Sequence, residues 1–263
     1  MKSKNQAILR QEAILKMLDT GASISVREFS ETLKCSYGTI RNDLAYLEEK
    51  GMVLRTHGGA IRTDGLPVIG LQRRESTNTE AKRDIARMAF AAYVKENMTV
   101  ILDSGTTNVE LAKVIASSGL SLTVLTHSAP VMHILSQAPD IQLFAFGGNY
   151  NRNSDAFYDG NLRRYADTMH ADIFFMGFNG LLPEQGFAHA VYFEQSTKNS
   201  YLAMSSCSIA IGDASKLTQS GLWVSGTFEE MQALVTDTRI TDDLKQNLND
   251  KGLDVLVAEY RNE

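Results

Sequence analysis

The sequence predicts a two-part α/β protein. A small helical head ends in a β-hairpin, and a larger body is built as a mostly parallel sheet covered by helices. Three observations carry this prediction. Between residues 24 and 50, apolar residues recur at helical spacing in two short blocks separated by Lys34-Cys35-Ser36. Residues 52–63 look extended on either side of Gly58-Gly59. From Thr79 onward, apolar runs of four to six residues alternate with amphipathic stretches, the pattern of strands buried on both faces between helices.

The head comes first. Ser25-Val26-Arg27-Glu28 has capping-box spacing, a hydroxyl at the N-cap and a carboxylate three residues on. Val26, Phe29 and Leu33 follow on one helical face. Lys34-Cys35-Ser36 makes a turn, and Ser36 is placed to cap a second helix. In that helix Ile40, Leu44 and Leu47 form the buried stripe, while Gly38, Arg41, Asn42 and Ala45 form an opposite stripe that is narrow, small and polar. Such a face fits a major groove and presents a guanidinium and an amide to base edges. Gly51 ends the helix. Met52–His57, the Gly58-Gly59 turn and Ala60–Thr63 then make a wing that carries Arg55, His57 and Arg62 toward phosphates. The head is therefore a winged helix-turn-helix, and double-stranded DNA is the expected partner. Ser36, Tyr37, Gly38, Thr39, Arg41, Asn42, Arg55, His57 and Arg62 are the expected contacts.

Charge agrees once it is divided. The whole chain of 263 residues carries −5, but residues 1–65 hold ten Lys or Arg against eight Asp or Glu, net +2, and the rest carries −7. A weakly basic head on an acidic body suits DNA contacts that are local and multiplied by self-association, so a homo-oligomer, dimer or tetramer, is expected. Cys35 and Cys207 are too few and too far apart for a disulfide framework or a metal site. Cys207 reads as core and Cys35 as a turn residue. No metal and no cofactor is expected. The N-terminus lacks a signal peptide's apolar stretch and no apolar run approaches about 18 residues, so a cytoplasmic location without membrane contact is expected.

The body begins after a linker at 63–78. Helices are expected over Glu80–Lys95, from Ser104-Gly105-Thr106-Thr107-Asn108 to Ala116, and over Ala129–Gln137, Leu162–Met169, Phe193–Ser205 and Asp242–Lys251. Strands are expected at Thr99–Asp103, Leu122–Thr126, Ile141–Phe146, Ile173–Gly177, Ser208–Gly212, Ala233–Thr236 and Asp254–Ala258. The domains are then 1–62, a linker at 63–78, and 79–263.

In sheets of this kind ligands bind beyond the carboxyl ends of the strands. Asp103, Ser104, Gly105, Thr106, Thr107 and Asn108 join a strand to a helix start, where free amides and hydroxyls favour an anion. The motif reads as a phosphate cradle, or as a plainly capped helix. It lacks the Walker lysine, which argues against a nucleotide triphosphatase. Gly147, Gly148, Gly177 and Gly180 sit after strands, as binding loops or as simple turns, and Asp213-Ala214-Ser215-Lys216 follows another strand. Glu194 and Lys198 are one helical turn apart and share a face, as ligand contacts or as a surface salt bridge.

The chain resembles the DeoR family of bacterial transcriptional regulators. Thr39-Ile40-Arg41-Asn42-Asp43-Leu44 and Arg55-Thr56-His57-Gly58-Gly59-Ala60 resemble that family's Thr-Ile-Arg-Arg-Asp-Leu and Arg-x-His-Gly-Gly-Ala, with Asn42 in place of the second Arg. Asp103–Thr107, Thr126-His127-Ser128, Gly147-Gly148, Asp172–Gly180, Glu194–Lys198 and Asp213–Lys216 resemble its later motifs in order, from about Gln6 to Leu256. The resemblance implies a ribose-5-phosphate isomerase- or CoA-transferase-like body that binds a phosphorylated sugar or related metabolite. It also implies a repressor of a carbohydrate-metabolism operon that such an effector releases. Thr106 and Thr107 would hold phosphate, Lys198 would add a point charge, and Glu194 and Asp213 would accept sugar hydroxyls; Gly147, Gly148, Gly177, Gly180, His127 and Lys216 complete the expected site. His127 stands where the family has Asn and is expected to titrate near neutral pH. Phe178-Asn179 also departs from the family, and both departures are expected at the ligand mouth, with His127 read alternatively as a helix N-cap neighbour without ligand contact. The competing expectations are a sugar-phosphate isomerase with a DNA-binding appendage, in which Glu194 or Asp213 is the base and Lys198 its electrostatic partner, and a DNA-architectural protein. The winged module argues against the first, and the ligand-type loops against the second.

Overall fold

The computed structural model describes residues 2–18, 24–49, 53–55, 58–62, 77–159, 162–189, 192–219 and 221–259. The chain divides into two compact units, Met1–Val68 and Ile69–Glu263.

The first unit is a winged helix-turn-helix. Helix α1 spans Lys2–Leu18, α2 Val26–Leu33 and α3 Tyr37–Glu49; strands β1 (Ile24–Ser25), β2 (Val53–Arg55) and β3 (Gly59–Arg62) pair antiparallel in the order β1-β3-β2. The capping box forms as the sequence requires. Ser25 Oγ accepts the Glu28 N–H, and the Glu28 carboxylate accepts the Ser25 N–H at 2.8 Å. Lys34, at φ 50, turns the chain out of α2, and Ser36 Oγ accepts the Thr39 N–H at 3.2 Å to start α3. Ile40, Leu44 and Leu47 are buried with Phe29, Val53 and Ala60. Ile14 and Leu18 complete that core from α1, a helix that the sequence reading left unassigned. Gly59 lies in β3, not in the turn. Gly51, Met52, Thr56, His57 and Thr63 lie outside the described residues, as does the side chain of Arg62.

The second unit is a seven-stranded sheet with helices on both faces. Its strands are β4 (Thr99–Leu102), β5 (Leu122–Thr126), β6 (Ile141–Ala145), β9 (Ala171–Gly177), β12 (Ser205–Ile211), β14 (Ala233–Asp237) and β15 (Asp254–Ala258). Every neighbour in the order β15-β14-β12-β9-β4-β5-β6 is parallel. Strand side chains alternate between two cores. Val100, Leu102, Ile173, Phe175, Ile209 and Ile211 pack with α4 (Thr79–Tyr93), α5 (Thr106–Ala116) and α6 (Ala129–Leu135). Ile101, Phe174, Met176, Ala210 and Leu234 pack with α8 (Tyr192–Met204) and α9 (Asp242–Asp250). A short α7 covers Arg163–Ala166.

Two small antiparallel sheets escape the sequence pattern. One is the hairpin β7 (Asn149–Asn151) and β8 (Ala156–Tyr158). The other joins β10 (Gly180–Leu182), β11 (Gly186–His189) and β13 (Trp223–Thr227). These strands are three to five residues long, so periodicity has little to detect. Gly180 therefore opens a strand and does not follow one.

Candidate functional site

On α3, Tyr37, Gly38, Arg41, Asn42 and Ala45 are all exposed along one stripe, opposite the buried one. Thr39 and Ser36 are tied together by their hydroxyls at 2.9 Å. Asp43 is buried under this helix, where it accepts from the Arg10 guanidinium and, at 3.0 Å, from the Gln11 amide. That link fixes α3 against α1. Arg55 is not a free cation: its N–H donates to Glu48 Oε1 at 3.1 Å, and its guanidinium lies 3.8 Å from the other carboxylate oxygen.

In the second unit the strand order reverses beside β4. β5 and β6 lie to one side of it and β9, β12, β14 and β15 to the other, so the loops leaving β4 and β9 diverge and open a crevice at the strands' carboxyl ends. Asp103 stands there, fully buried. Its Oδ1 accepts the Ser104 N–H at 2.8 Å. Its Oδ2 accepts the Gly177 N–H at 2.9 Å and the Lys198 ammonium, which also donates to the Gly177 carbonyl at 3.0 Å. The surface salt bridge considered for Glu194 and Lys198 is thus not what forms. Lys198 is 2% exposed because α8 packs on the sheet at that turn, and its partner is Asp103.

Gly105 has φ 117, a conformation that side chains rarely adopt, and it delivers the chain into α5 without any side-chain cap. The first-turn N–H groups have no acceptor within the helix. Thr107 Oγ1 and both amide atoms of Asn108 are buried without a hydrogen-bond partner. A Cβ on Gly177 would stand 3.1 Å from the Ser104 carbonyl oxygen and 3.6 Å from Asn108 Nδ2, so a glycine keeps this corner open.

Aromatic and imidazole groups wall the crevice. His127 Nδ1 lies 3.0 Å from the Tyr201 hydroxyl, Nε2 lies 3.9 Å from Asp103 Oδ1, and the Tyr158 ring meets it edge-on at 5.3 Å. If Tyr201 donates to Nδ1, the Nε2–H faces the carboxylate, the favourable tautomer. Burial lowers the His127 pKa to about 4, against the pull of Asp103 and with the help of Lys198. The expectation of a group titrating near neutrality is thereby corrected: His127 is neutral at physiological pH. Burial also raises the Tyr158 and Tyr201 hydroxyls above their usual range. The β7–β8 hairpin holds this wall, with the Phe157 N–H donating to the His127 carbonyl at 2.8 Å. The exposed Gly147 and Gly148 lead from β6 into that hairpin. His189, at the end of β11, is fully buried, with Nδ1 3.5 Å from Glu194 Oε2.

Beyond β12, Asp213 Oδ1 accepts from the Asn78 amide at 2.9 Å and from the Ser215 hydroxyl. Arg239 grips Asp237 at 2.7 and 2.9 Å and donates to Asn78 Oδ1 at 2.8 Å. Burial raises the Asp237 pKa, but bonds from Arg239 and the Ala214 N–H outweigh it and the net shift is downward. Lys216 lies in a single 3-10 turn, Ala214–Lys216, with Nζ 5.6 Å from the Phe178 ring centre.

Comparison with known proteins decides the family. Residues 77–238 match the DeoR C terminal sensor domain, and residues 10–65 match the DeoR-like helix-turn-helix domain. The chain belongs to the DeoR family. It is 34% identical over 255 residues to the HTH-type transcriptional regulator GolR of Listeria innocua, covering 95% of this chain and 98% of that protein. It is 29% identical over 236 residues to the L-fucose operon activator of Escherichia coli K12, covering 88% and 95%. Among solved structures, ribose 5-phosphate isomerase A from Methanocaldococcus jannaschii aligns over 54% of this chain and 56% of that one, at 18% identity and a TM-score of 0.40. This DeoR protein is a DNA-binding transcriptional regulator with a parallel α/β sensor domain. Among its described residues no helix is long and apolar enough to cross a membrane.

Of its departures from the DeoR pattern, His127 faces the crevice, whereas Phe178 turns into the core against Phe187, with ring centres 4.9 Å apart. Phe178 is therefore not at a ligand mouth; Gly212 leaves the space its ring fills. Asp103, Gly177, Lys198 and His127 converge, and Glu194, one turn before Lys198 on α8, faces His189. Sequence reasoning missed Asn78, Tyr158, His189, Tyr201 and Arg239. A signal existed for Arg239 alone: Asp237-Thr238-Arg239 repeats the pattern of an Asp at a strand's end seen at Asp103 and Asp213.

Proposed function

We propose that the protein represses a carbohydrate-metabolism operon and that a phosphorylated sugar, or a closely related metabolite, binds between the ends of β4 and β9 and lowers its operator affinity. The observation that carries this is the set of unsatisfied buried groups at the start of α5. Thr107 Oγ1 and the Asn108 amide have no partner, beside uncapped helix N–H groups. Buried polar groups left unpaired cost about 1–3 kcal/mol each, so a site that leaves several waiting is built for a polar, anionic occupant. The L-fucose relative supports a sugar as the source of that occupant. Ser104–Asn108 would hold the phosphate, and Glu194 and Asp213 the hydroxyls, with the Lys198 charge close by. Operator contact would come from Ser36, Tyr37, Gly38, Thr39, Arg41, Asn42, Arg55, His57 and Arg62, in a head of residues 1–62 joined by a linker at 63–78 to a body at 79–263.

Repression is favoured over activation because occupancy of an operator obstructs transcription without a further contact surface. The effector must bind the weak-DNA conformation better than the operator-bound one, since equal affinity shifts nothing. One winged helix buries too little surface for tight specific binding, so the working form is a dimer or tetramer on repeated half-sites, acting in the cytoplasm. The body senses its ligand and does not turn it over. The test is a thermal-shift panel of pentose and hexose phosphates, because a ligand of the folded state raises its stability by mass action. Stabilisation by at least one member, with operator release and no product formed, supports the proposal. Turnover of the ligand, or no stabilisation by any member, contradicts it.

A further inference from the structure

His189 has no assigned role, and its environment demands one. It closes β11, where the His189 carbonyl accepts the Leu222 N–H at 3.0 Å and the residue pairs with Trp223 across the sheet. The backbone position is therefore fixed. The ring is fully buried; Nε2 has no hydrogen-bond partner, while Nδ1 faces the Glu194 carboxylate, whose Oε2 lies 3.5 Å away. Glu194 stands one turn before Lys198 on α8, and Lys198 bonds Asp103, so the ring lies beside the floor of the same crevice as the α5 cradle. Buried ring nitrogens are normally paired, and an Nε2 without a partner calls for a missing one.

We propose that His189 is a specificity-determining residue of the effector site that reads the carbon-chain hydroxyls of a sugar phosphate, not its phosphate. The inference rests on the proposed effector site and deepens it. A neutral imidazole offers one donor and one acceptor, and the Glu194 carboxylate beside it offers acceptors only. Together they match adjacent hydroxyls, each of which donates once and accepts. An anionic phosphate gains nothing from a carboxylate neighbour, so it belongs at the α5 end. The ligand class is therefore a polyhydroxylated phosphate ester, a pentose or hexose phosphate, as opposed to a bare phosphate or a short phosphorylated acid.

The experiment compares wild type with His189→Phe, which keeps the ring's shape and removes both polar atoms. Calorimetric affinities would be measured for inorganic phosphate, ribose 5-phosphate, 2-deoxyribose 5-phosphate, glucose 6-phosphate and fructose 6-phosphate. In wild type at least one sugar phosphate should bind at least about tenfold tighter than inorganic phosphate, about the worth of one hydrogen bond to a charged or buried group. In His189→Phe that preference should collapse to within about threefold, while inorganic phosphate binding stays within about twofold of wild type. His189→Gln, whose amide reaches the Nε2 position, should restore part of the preference. A purely structural histidine would move all the ligands together. If His189→Phe keeps the wild-type preference, the role of His189 is overturned while the effector site stands. If wild type itself prefers no sugar phosphate over inorganic phosphate, the effector site falls, and the inference with it. A second measurement needs no variant: in long-range 1H–15N spectra of the wild-type protein, the His189 ring nitrogens should shift with the preferred sugar phosphate and not with inorganic phosphate. Unmoved nitrogens would overturn the role.

Discussion

Lys198 donates to the Asp103 carboxylate, and each of the two is at most 2% exposed. The cation at the floor of the crevice is therefore already neutralised before any ligand arrives. Truncating one partner of a buried ion pair strands the other charge, which costs about 3–5 kcal/mol. Lys198→Ala should thus weaken the whole second unit as well as its ligand response, by a clear drop in the urea midpoint. The pair of substitutions Asp103→Asn, Lys198→Met should cost less than the sum of the two alone. Strict additivity would show that the two charges are not coupled.

Thr107 supports the opposite kind of prediction. Its buried hydroxyl has no partner, so Thr107→Val loses no hydrogen bond in the free protein. The free variant should be as stable as wild type or more stable, by up to about 1 kcal/mol. Its affinity for a sugar phosphate should fall about tenfold or more, the loss of one hydrogen bond to a charged oxygen. A destabilised free variant with unchanged ligand affinity would contradict the assignment of Thr107 to the ligand.

Histidine burial gives a pH dependence of definite sign. His127 is held near a pKa of about 4, whereas an exposed histidine titrates near 6.5. Between those values the unfolded chain carries a proton that the folded one refuses. Stability is therefore fully present above about pH 6.5 and falls as pH drops toward about 4, by roughly 3 kcal/mol over the whole window. His189 is depressed in the same direction, chiefly by burial. Denaturation followed at several pH values in this window should show a shallower slope for His127→Asn than for wild type. Equal slopes would mean that His127 is not the group responsible.

The first unit separates a proposed DNA contact from a structural residue two positions away by their neighbours. Arg41 is exposed on α3, and Arg41→Ala should cost about 1–3 kcal/mol of operator binding, relax specificity at one base pair, and leave stability alone. Asp43→Ala, two residues on, should instead release Arg10 and Gln11, lower the stability of the unit by about 1–3 kcal/mol, and weaken binding to every DNA sequence together. Competition assays at matched salt, paired with thermal unfolding, distinguish the two; identical profiles would refute the division.

Much of this was legible in the sequence because the signals were periodic or local. The Ser25–Glu28 capping box and the Ile40, Leu44, Leu47 stripe depend only on neighbours in the chain, and both form. Strands β5 and β15 fall on their expected ranges because each is a short run of apolar and β-branched residues soon after a helix. What escaped depends on distant partners. Lys198 reads as one half of a surface pair with Glu194 until α8 is laid on the sheet and Asp103 is brought under it. His127 reads as a neutral-pH switch until Tyr158 and Tyr201 bury it. Tyr158 itself arrives on a three-residue strand, and Asn78 meets Asp213 and Arg239 across more than a hundred residues of chain. No local pattern encodes such meetings.

The most direct test couples the two units. An operator fragment recovered by in vitro selection would be titrated with the full-length protein, wild type and Thr107→Val, across a range of the stabilising sugar phosphate. The expected result is that both proteins bind the operator equally without the sugar phosphate, that wild type releases it on addition, and that Thr107→Val needs about tenfold or more to do the same. Release of both proteins at the same concentration, or loss of operator binding by a folded Thr107→Val without any ligand, would contradict a sensor site at the ends of β4 and β9.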